Sequence, residues 1–519
     1  MIRALRHFLR LLAIARTLAR HGALEPVREL MRGAGAAPVA LAVAGLFARR
    51  PPSAQARPGE RLAAALAELG PAFIKFGQML STRSDLLGEE AAADLSRLQD
   101  RLDPFPAAAA RAAIEAEFGR PVAELFTSFD DRPVSAASIA QVHFATAMQS
   151  GPEGETTTEV AVKILRPGIE AAFARDLDLL DWLADLMERT RPALRRLKPR
   201  AVVRTFAESM HQEMDLRLEA AAGAELAENF RGDPSYHVPA VDWQRTGRRV
   251  LTSRRLAGVP MDDRAGLLEA GLDIDAVLGR AAAIFFKQAF RDGYFHGDQH
   301  PGNMFVDARG NIGAVDFGIM GRLDRATRAY LADMLLAFLE RDYRRLAEVH
   351  FDAGYVPAHQ SPAAFAQACR AIGEPIFDRP LNEISFARLL GQLFRLGERF
   401  DMEVQPQLLL LQKNMLMAEG VSRQLNPALN IWTLARPLIE DWMRENRGPE
   451  ARLRDALEEA ARQLARLPRN LALLERAATA FADGGLRLHP ETLAAFSRSS
   501  PVWPLWLAIL AVLLLALLG

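Results

Sequence analysis

Residues 294–321 read YFHGDQHPGNMFVDARGNIGAVDFGIMG, and the spacing of three polar side chains within them sets the expected architecture. Asp298 is followed five residues later by Asn303, and Asp316 comes thirteen residues after that. Met304 to Val306 and Ile312 to Val315 are short apolar runs separated by Asp307-Ala308-Arg309-Gly310-Asn311, a turn-rich set that predicts a hairpin. Such a hairpin returns Asp316 to the neighbourhood of Asn303. A loop aspartate there can position or deprotonate an attacking hydroxyl, while an amide oxygen and a second carboxylate can hold Mg2+ on nucleotide phosphates.

That set of roles, in that order, is the one used by protein-kinase folds. His296-Gly297-Asp298 with Asn303 stands where a kinase has H-R-D-x-x-x-x-N, and Asp316-Phe317-Gly318 stands as D-F-G. Either tripeptide alone is an ordinary turn. Together, with this spacing and the hairpin between them, they predict Asp298 as the catalytic residue and Asn303 and Asp316 as metal ligands.

Upstream, Pro133 to His143 predicts strand, small-residue turn, strand, and Val160 to Leu165 supplies a further strand carrying Lys163. In a kinase the first turn is Gly-rich and covers the phosphates that the strand lysine contacts. Here Val134-Ser135-Ala136-Ala137-Ser138-Ile139-Ala140-Gln141-Val142 has alanine and serine in place of glycine. Further upstream, Phe73-Ile74-Lys75-Phe76-Gly77-Gln78 sits in an apolar helical pattern.

With these residues the sequence resembles the UbiB family of atypical protein-kinase-like proteins associated with ubiquinone biosynthesis. The family's KxGQ signature matches Lys75 to Gln78, its Ala-rich loop matches Val134 to Val142, and its nucleotide lysine matches Lys163. Its ExD segment, on the helix that plays the role of helix C, matches His211 to Ala220. On one continuous helix Asp215 and Glu219 share a face and Glu213 points nearly the opposite way, so one face can reach Lys163 and the other Lys75. Glu213 and Asp215 are assigned the ExD role, and Glu219 is kept as a candidate partner of Lys163. Val250 to Gly258 occupies the place of the inter-lobe hinge, with two arginines, Arg254 and Arg255, where the family often has an acidic residue.

Composition sets the outer limits. Half of the 519 residues are hydrophobic, enough for a sizeable core, and Lys plus Arg and Asp plus Glu each total 64, so nothing global points to a nucleic-acid partner. The single cysteine, Cys369, excludes an intramolecular disulfide and a Cys-based zinc site, and fits a reducing compartment. Residues 1–32 carry seven arginines against Glu25 and Glu29, interleaved with Ile2, Leu5, Phe8, Leu9, Leu12 and Ile14. This amphipathic helix suits an anionic membrane surface or packing on its own protein, and both readings stand. At the other end, Pro501 to Trp506 and the charge-free run to Gly519 predict a membrane span. With Arg498 ahead of it, the positive-inside tendency puts the catalytic body in the cytoplasm, at a bacterial-type inner membrane.

The expected architecture is α+β, a two-lobed protein-kinase-like fold. It divides into a basic helix (1–32), an apolar segment and linker (33–59), a helical extension with the KxGQ motif (60–125), an N-lobe (126–257), a helix-rich C-lobe (258–500) and a transmembrane helix (501–519). The resemblance covers residues 5–500 and implies ATP and Mg2+ as cofactors. It further implies ATP binding and hydrolysis linked to membrane lipids and to ubiquinone precursors or biosynthetic proteins. Two other classes are a nucleotide-switched pseudo-kinase scaffold and a 2-polyprenylphenol hydroxylase. The intact Asp298, Asn303 and Asp316 argue against the first. The second needs flavin or a metal with O2, and neither a well-placed G-x-G-x-x-G nor a 2-His-1-carboxylate set is visible.

Overall fold

The computed structural model describes residues 2–23, 56–81, 89–95, 98, 102–151, 154–190, 199–375, 392, 396–397, 399–402, 405–429, 437–438, 440 and 442. The expected transmembrane helix at 501–519 and most of the expected linker lie outside these residues. Among the described residues no helix is long and apolar enough to cross a membrane.

The N-lobe is built on an antiparallel sheet in which β3 (Ala140–Gly151) and β4 (Gly154–Leu165) pair along their whole length. β1 (Ser128–Phe129) and β2 (Ser135–Ala136) both add to β3, and β6 (Val250–Arg254) adds to β4. Alternation along β4 puts Val160, Val162 and Ile164 on one face, where they are fully buried against Ala110 and Ile114 of the helix Ala107–Phe118. Lys163 therefore emerges on the opposite face.

That second face is covered by helices. Ile139, Ala140 and Leu165 pack against Phe173 of the helix Ile169–Thr190, against Phe206 and Met210 of the helix Pro199–Glu213, and against Leu216 and Ala220. The KxGQ helix, Pro71–Ser81, joins this layer through Ala72, Phe76 and Met79.

The amino-terminal helix, Ile2–Arg20, is docked on the body. Ile14 and Leu18 pack on the cluster around Leu62, Leu66 and Phe73. His7 bonds Asp178 at 2.8 Å, and Arg10 makes a two-pronged contact with the buried Asp176 at 2.8 and 3.0 Å. Its outward face carries Phe8 and Leu9, each 57% exposed, and Leu12.

In the C-lobe, β5 (Tyr236–His237), which falls in the range expected for the N-lobe, joins β10 (Ile312–Ala314), β9 (Met304–Val306) and β7 (Val259–Pro260) in one small sheet in that order. The expected hairpin is present: Ile312 faces Val306 and Ala314 faces Met304, closed by Asp307 N–H donating to Asn311 O at 2.9 Å. β8 (Tyr294–His296) pairs with β11 (Met320–Arg322), so the two ends of the 294–321 segment are hydrogen-bonded to each other. Helices Arg325–Leu339, Tyr343–Asp352 and Pro362–Gly373 make a separate cluster around Phe365. The helix Pro406–Leu425 instead inserts Val421 and Leu425 into the core behind the 304–314 hairpin, with Met304, Ile312 and Phe317.

This last helix also buries Glu419, whose Oε1 has no hydrogen-bond partner among the described residues and lies 3.7 Å from Arg423 Nε. Burial pushes its carboxyl up to about 7 from 4.5, against a smaller pull from Arg423. A carboxyl whose folded pKa is raised favours folding at low pH and loses that contribution as pH rises through 7. Glu419→Gln should therefore be more stable than wild type at pH 8, by up to about 3 kcal/mol. The gap should close by about pH 4, below the unfolded value of 4.5, in denaturant titrations at the two pH values, and a gap independent of pH would refute the assignment.

Candidate active site

Lys163 is the junction of the site. Its ammonium lies 2.8 and 2.9 Å from the two carboxylate oxygens of Glu219 and 2.8 Å from Asp316 Oδ1. The Lys163 and Glu219 side chains are nearly buried, at 18% and 9% exposure, while Asp316 is half exposed at 50%. Burial opposes the charged form of Lys163, but the charges of Asp316 and Glu219 outweigh it and raise its pKa. Lys163 in turn holds Asp316 well below the usual carboxylate range against the effect of burial, and Lys75 adds to the pull. Burial pushes Glu219 up to about 7, with Lys163 drawing it down and the Asp316 charge driving it up.

The segment expected to be one helix is two. The first helix ends at Glu213 and the next runs Leu216–Asn229, with Asp215 as its N-cap accepting from Arg217 N–H at 3.2 Å. The shared face of Asp215 and Glu219 is thus replaced by a break at Met214-Asp215. The Asp215 carboxylate is taken up by the Arg217 guanidinium at 2.6 and 2.8 Å. Glu213 pairs with Lys75 at 3.2 Å, and Glu219 takes Lys163. The two lysines therefore draw their partners from two different helices. Gln78, beside Lys75 in the motif, donates to Leu98 O at 3.3 Å.

The Ala-rich loop is a tight hairpin. Ser135 faces Val142 and Ala136 faces Gln141 across β2 and β3, and Ala137 N–H donates to Ala140 O at 2.8 Å. Arg166 fixes it from below: its backbone N–H donates to Ile139 O at 2.8 Å, and its guanidinium donates to Ala137 O at 3.0 Å. Val134 and Ser135 are exposed and Ala136 and Ala137 half-buried, whereas Ser138, Ile139, Ala140 and Gln141 are buried. The Gln141 amide is committed to both backbone groups of Phe105, at 2.9 and 3.2 Å. In the segment expected as the hinge, Arg255 lies over the Phe144 ring at 4.0 Å and pairs with Glu159 at 3.3 Å.

On the C-lobe side, His296 is buried and braces the loop that carries Asp298. Its Nδ1 accepts from Asp298 N–H at 3.0 Å and its Nε2 donates to Val315 O at 3.2 Å, the pattern of a neutral ring, and burial lowers its pKa. Asn303 O accepts from Val315 N–H at 2.9 Å, so the hairpin places Asn303 across from the residue preceding Asp316. The Asn303 amide donates to Asp298 O at 3.4 Å. Asp316 itself adopts φ 65°, a left-handed conformation that an aspartate tolerates better than most side chains.

Two residues of the loop's surroundings had no signal in the sequence motifs. Lys413 Nζ is 2.8 Å from Asp298 Oδ1, and Asn414 Nδ2 donates to His296 O while its Oδ1 accepts from Gln299 N–H at 3.2 Å. Both come from the helix Pro406–Leu425, more than a hundred residues downstream of the loop. Only their place in the fold reveals them.

Phe317 anchors Asp316 by packing its ring against the Glu219 helix at Gly223. A Cβ built on Gly223 would meet Phe317 Cδ2 at 2.9 Å, whereas one on Gly279, also helical, would meet nothing. Gly223→Val should lower stability by about 1–3 kcal/mol through overpacking. Gly279→Ala should raise it by about 0.5–1 kcal/mol. Equal thermal shifts for the two variants would refute this account of the contact.

Two family models match the chain, the ABC1 atypical kinase-like domain over residues 97–350 and the UbiB helical domain over residues 369–430. A probable protein kinase UbiB from Marinobacter nauticus is 46% identical over 395 residues, covering 75% of this chain and 71% of that protein. Its counterpart in Pseudomonas entomophila is 42% identical over 489 residues, 89% of this chain and 90% of that protein. Among solved structures, Rv3197 from Mycobacterium tuberculosis, determined in complex with erythromycin, is 26% identical with a TM-score of 0.50 over 73% of this chain and 95% of that one. The fold is accordingly kinase-like, helix-rich and of mixed α+β type, and the protein belongs to the UbiB family of ABC1 atypical kinase-like proteins.

Proposed function

We propose that the protein is a membrane-associated atypical kinase or ATPase that binds Mg-ATP between its lobes and supports ubiquinone biosynthesis. The observation that carries the reading is the convergence of Lys163, Glu219 and Asp316 at 2.8–2.9 Å, with Asp298 and Asn303 held on the adjoining loop. The donor set fits the nucleotide. A lysine held by two carboxylates is oriented for phosphate oxygens, and a half-exposed carboxylate with a nearby amide suits a hard divalent cation. Asn303 and Asp316 would hold Mg2+, which when bound neutralises charge on the phosphates. Lys163 would take the α and β phosphates, and Asp298 would orient the attacking oxygen and receive its proton.

The membrane part rests on the amino-terminal helix, which docks through His7, Arg10, Ile14 and Leu18 and turns Phe8, Leu9 and Leu12 outward beside the exposed Arg6 and Arg16. An apolar strip edged by arginines suits an anionic lipid surface. The ubiquinone link rests on kinship with proteins named probable protein kinase UbiB. The acceptor of the phosphoryl group is either a lipid intermediate, a biosynthetic protein or water.

Asp316→Asn tests the site. The variant should lose Mg2+-dependent ATP affinity by about tenfold or more, the scale of one lost charge-assisted ligand, and should still sediment with membranes. Unchanged Mg-ATP affinity in equilibrium binding would sink the metal assignment, and recovery of wild-type protein in the soluble fraction would sink the membrane assignment.

A further inference from the structure

Asp298 is the point at which the proposed reaction has an unmet electrostatic requirement. A phosphoryl group transferring to an oxygen held by a carboxylate brings its own negatively charged oxygens towards that carboxylate. Phosphoryl transfer proceeds with the charge spread over those oxygens, so a cation beside the carboxylate is needed to offset the repulsion. The loop cannot supply one: from Asp298 to Asp307 there is no lysine or arginine. Lys163 is engaged with Glu219 and Asp316, and Lys75 with Glu213.

The structure brings in the missing charge from elsewhere. Lys413 reaches Asp298 Oδ1 at 2.8 Å from a helix outside the matched kinase-like domain and inside the matched helical domain. Its position is not incidental. The next residue, Asn414, is fully buried and bonds the same loop on both sides of Asp298, through His296 O and Gln299 N–H. Val421 and Leu425 lock the far end of the helix into the core under the catalytic hairpin. The Lys413 side chain is thus 38% exposed on a helix anchored at both ends, and the Asp298 side chain beside it is 33% exposed, so both remain open to solvent.

We propose that Lys413 is a catalytic residue of the phosphoryl transfer, contacting the transferring phosphoryl oxygens while Asp298 handles the acceptor. The inference rests on the ATP-dependent reading of the site. In the step, the acceptor oxygen forms its bond to the γ-phosphorus and its proton passes to Asp298. The bond from the γ-phosphorus to the β–γ bridging oxygen breaks, and its electron pair leaves on ADP. Lys413 makes and breaks no covalent bond. Its ammonium moves from offsetting Asp298 alone to bridging Asp298 and the phosphoryl group. The helical domain is then part of the active site, not only a support for it.

The test compares detergent-solubilised full-length wild type, Lys413→Met and Lys413→Arg in three measurements: Mg-ATP affinity, steady-state phosphate release, and affinity for Mg-ADP with aluminium fluoride as a mimic of the transferring phosphoryl group. Lys413→Met should lower kcat by about 100-fold or more, the scale of removing one transition-state donor, with Mg-ATP affinity within about threefold of wild type. Its affinity for the aluminium fluoride complex should fall by about tenfold or more, and Lys413→Arg should recover part of both losses. A Lys413→Met kcat within about threefold of wild type would overturn the proposal while leaving the ATPase reading intact. Loss of Mg-ATP affinity in step with kcat would reduce Lys413 to a structural role and overturn it as well. Wild-type protein that binds Mg-ATP without turnover also overturns it, and wild-type protein that binds no nucleotide overturns the functional reading itself.

Discussion

The ion cluster of Lys163, Glu219 and Asp316 ties together three parts of the chain that lie far apart in sequence. Lys163 comes from the N-lobe sheet, Glu219 from the helix after the Met214-Asp215 break, and Asp316 from the C-lobe. Withdrawing an ammonium from water costs several kcal/mol unless its donors are satisfied, so a nearly buried Lys163 commits both carboxylates to meet it. With all three groups ionised the cluster carries one excess negative charge, on its half-exposed side at Asp316.

Apolar packing gives the cluster its rigidity. Phe317 follows Asp316 directly and lies on Gly223, one turn beyond Glu219 on the same helix, so the position of one carboxylate constrains the other through a ring contact. The helix Pro406–Leu425 joins the same core with Val421 and Leu425 and, through Lys413 and Asn414, holds the loop that carries Asp298. Close-packed interiors transmit constraint, so a helix distant in sequence can help to position Asp298.

How much was legible follows from the range of each interaction. Asp298, Asn303 and Asp316 lie within one hairpin, so their proximity is a local consequence of turn chemistry and could be read directly. The two lysine–glutamate pairs were half legible. The carboxylates were in view, but the helix break at Met214-Asp215 was not, because an Asp that caps a helix and an Asp within one look alike until the preceding helix is seen to stop. Lys413 and Asn414 carried no signal, since a lysine and an asparagine on a long helix are ordinarily solvated and only tertiary packing gives them a target. The amino-terminal helix shows the same limit differently. Its amphipathic period was plain, but it buries basic residues against Asp176 and Asp178 and leaves Phe8 and Leu9 outward, and periodicity alone does not say which face is docked.

The Ala-rich loop sharpens the contrast with a glycine-rich one. A glycine loop owes its reach to backbone freedom, and an alanine in each place restricts φ to the ordinary regions. In this protein the restriction is compounded: Ile139 and Ala140 are in the core, Arg166 holds Ile139 and Ala137 by their carbonyls, and Gln141 is tied to Phe105. Only Val134 to Ala137 remain at the surface, as the rim of a hairpin fixed by its backbone pairing and by these side-chain contacts. On the proposed reading of the site, the entropy of ordering a mobile flap would therefore not be part of the cost of binding a nucleotide.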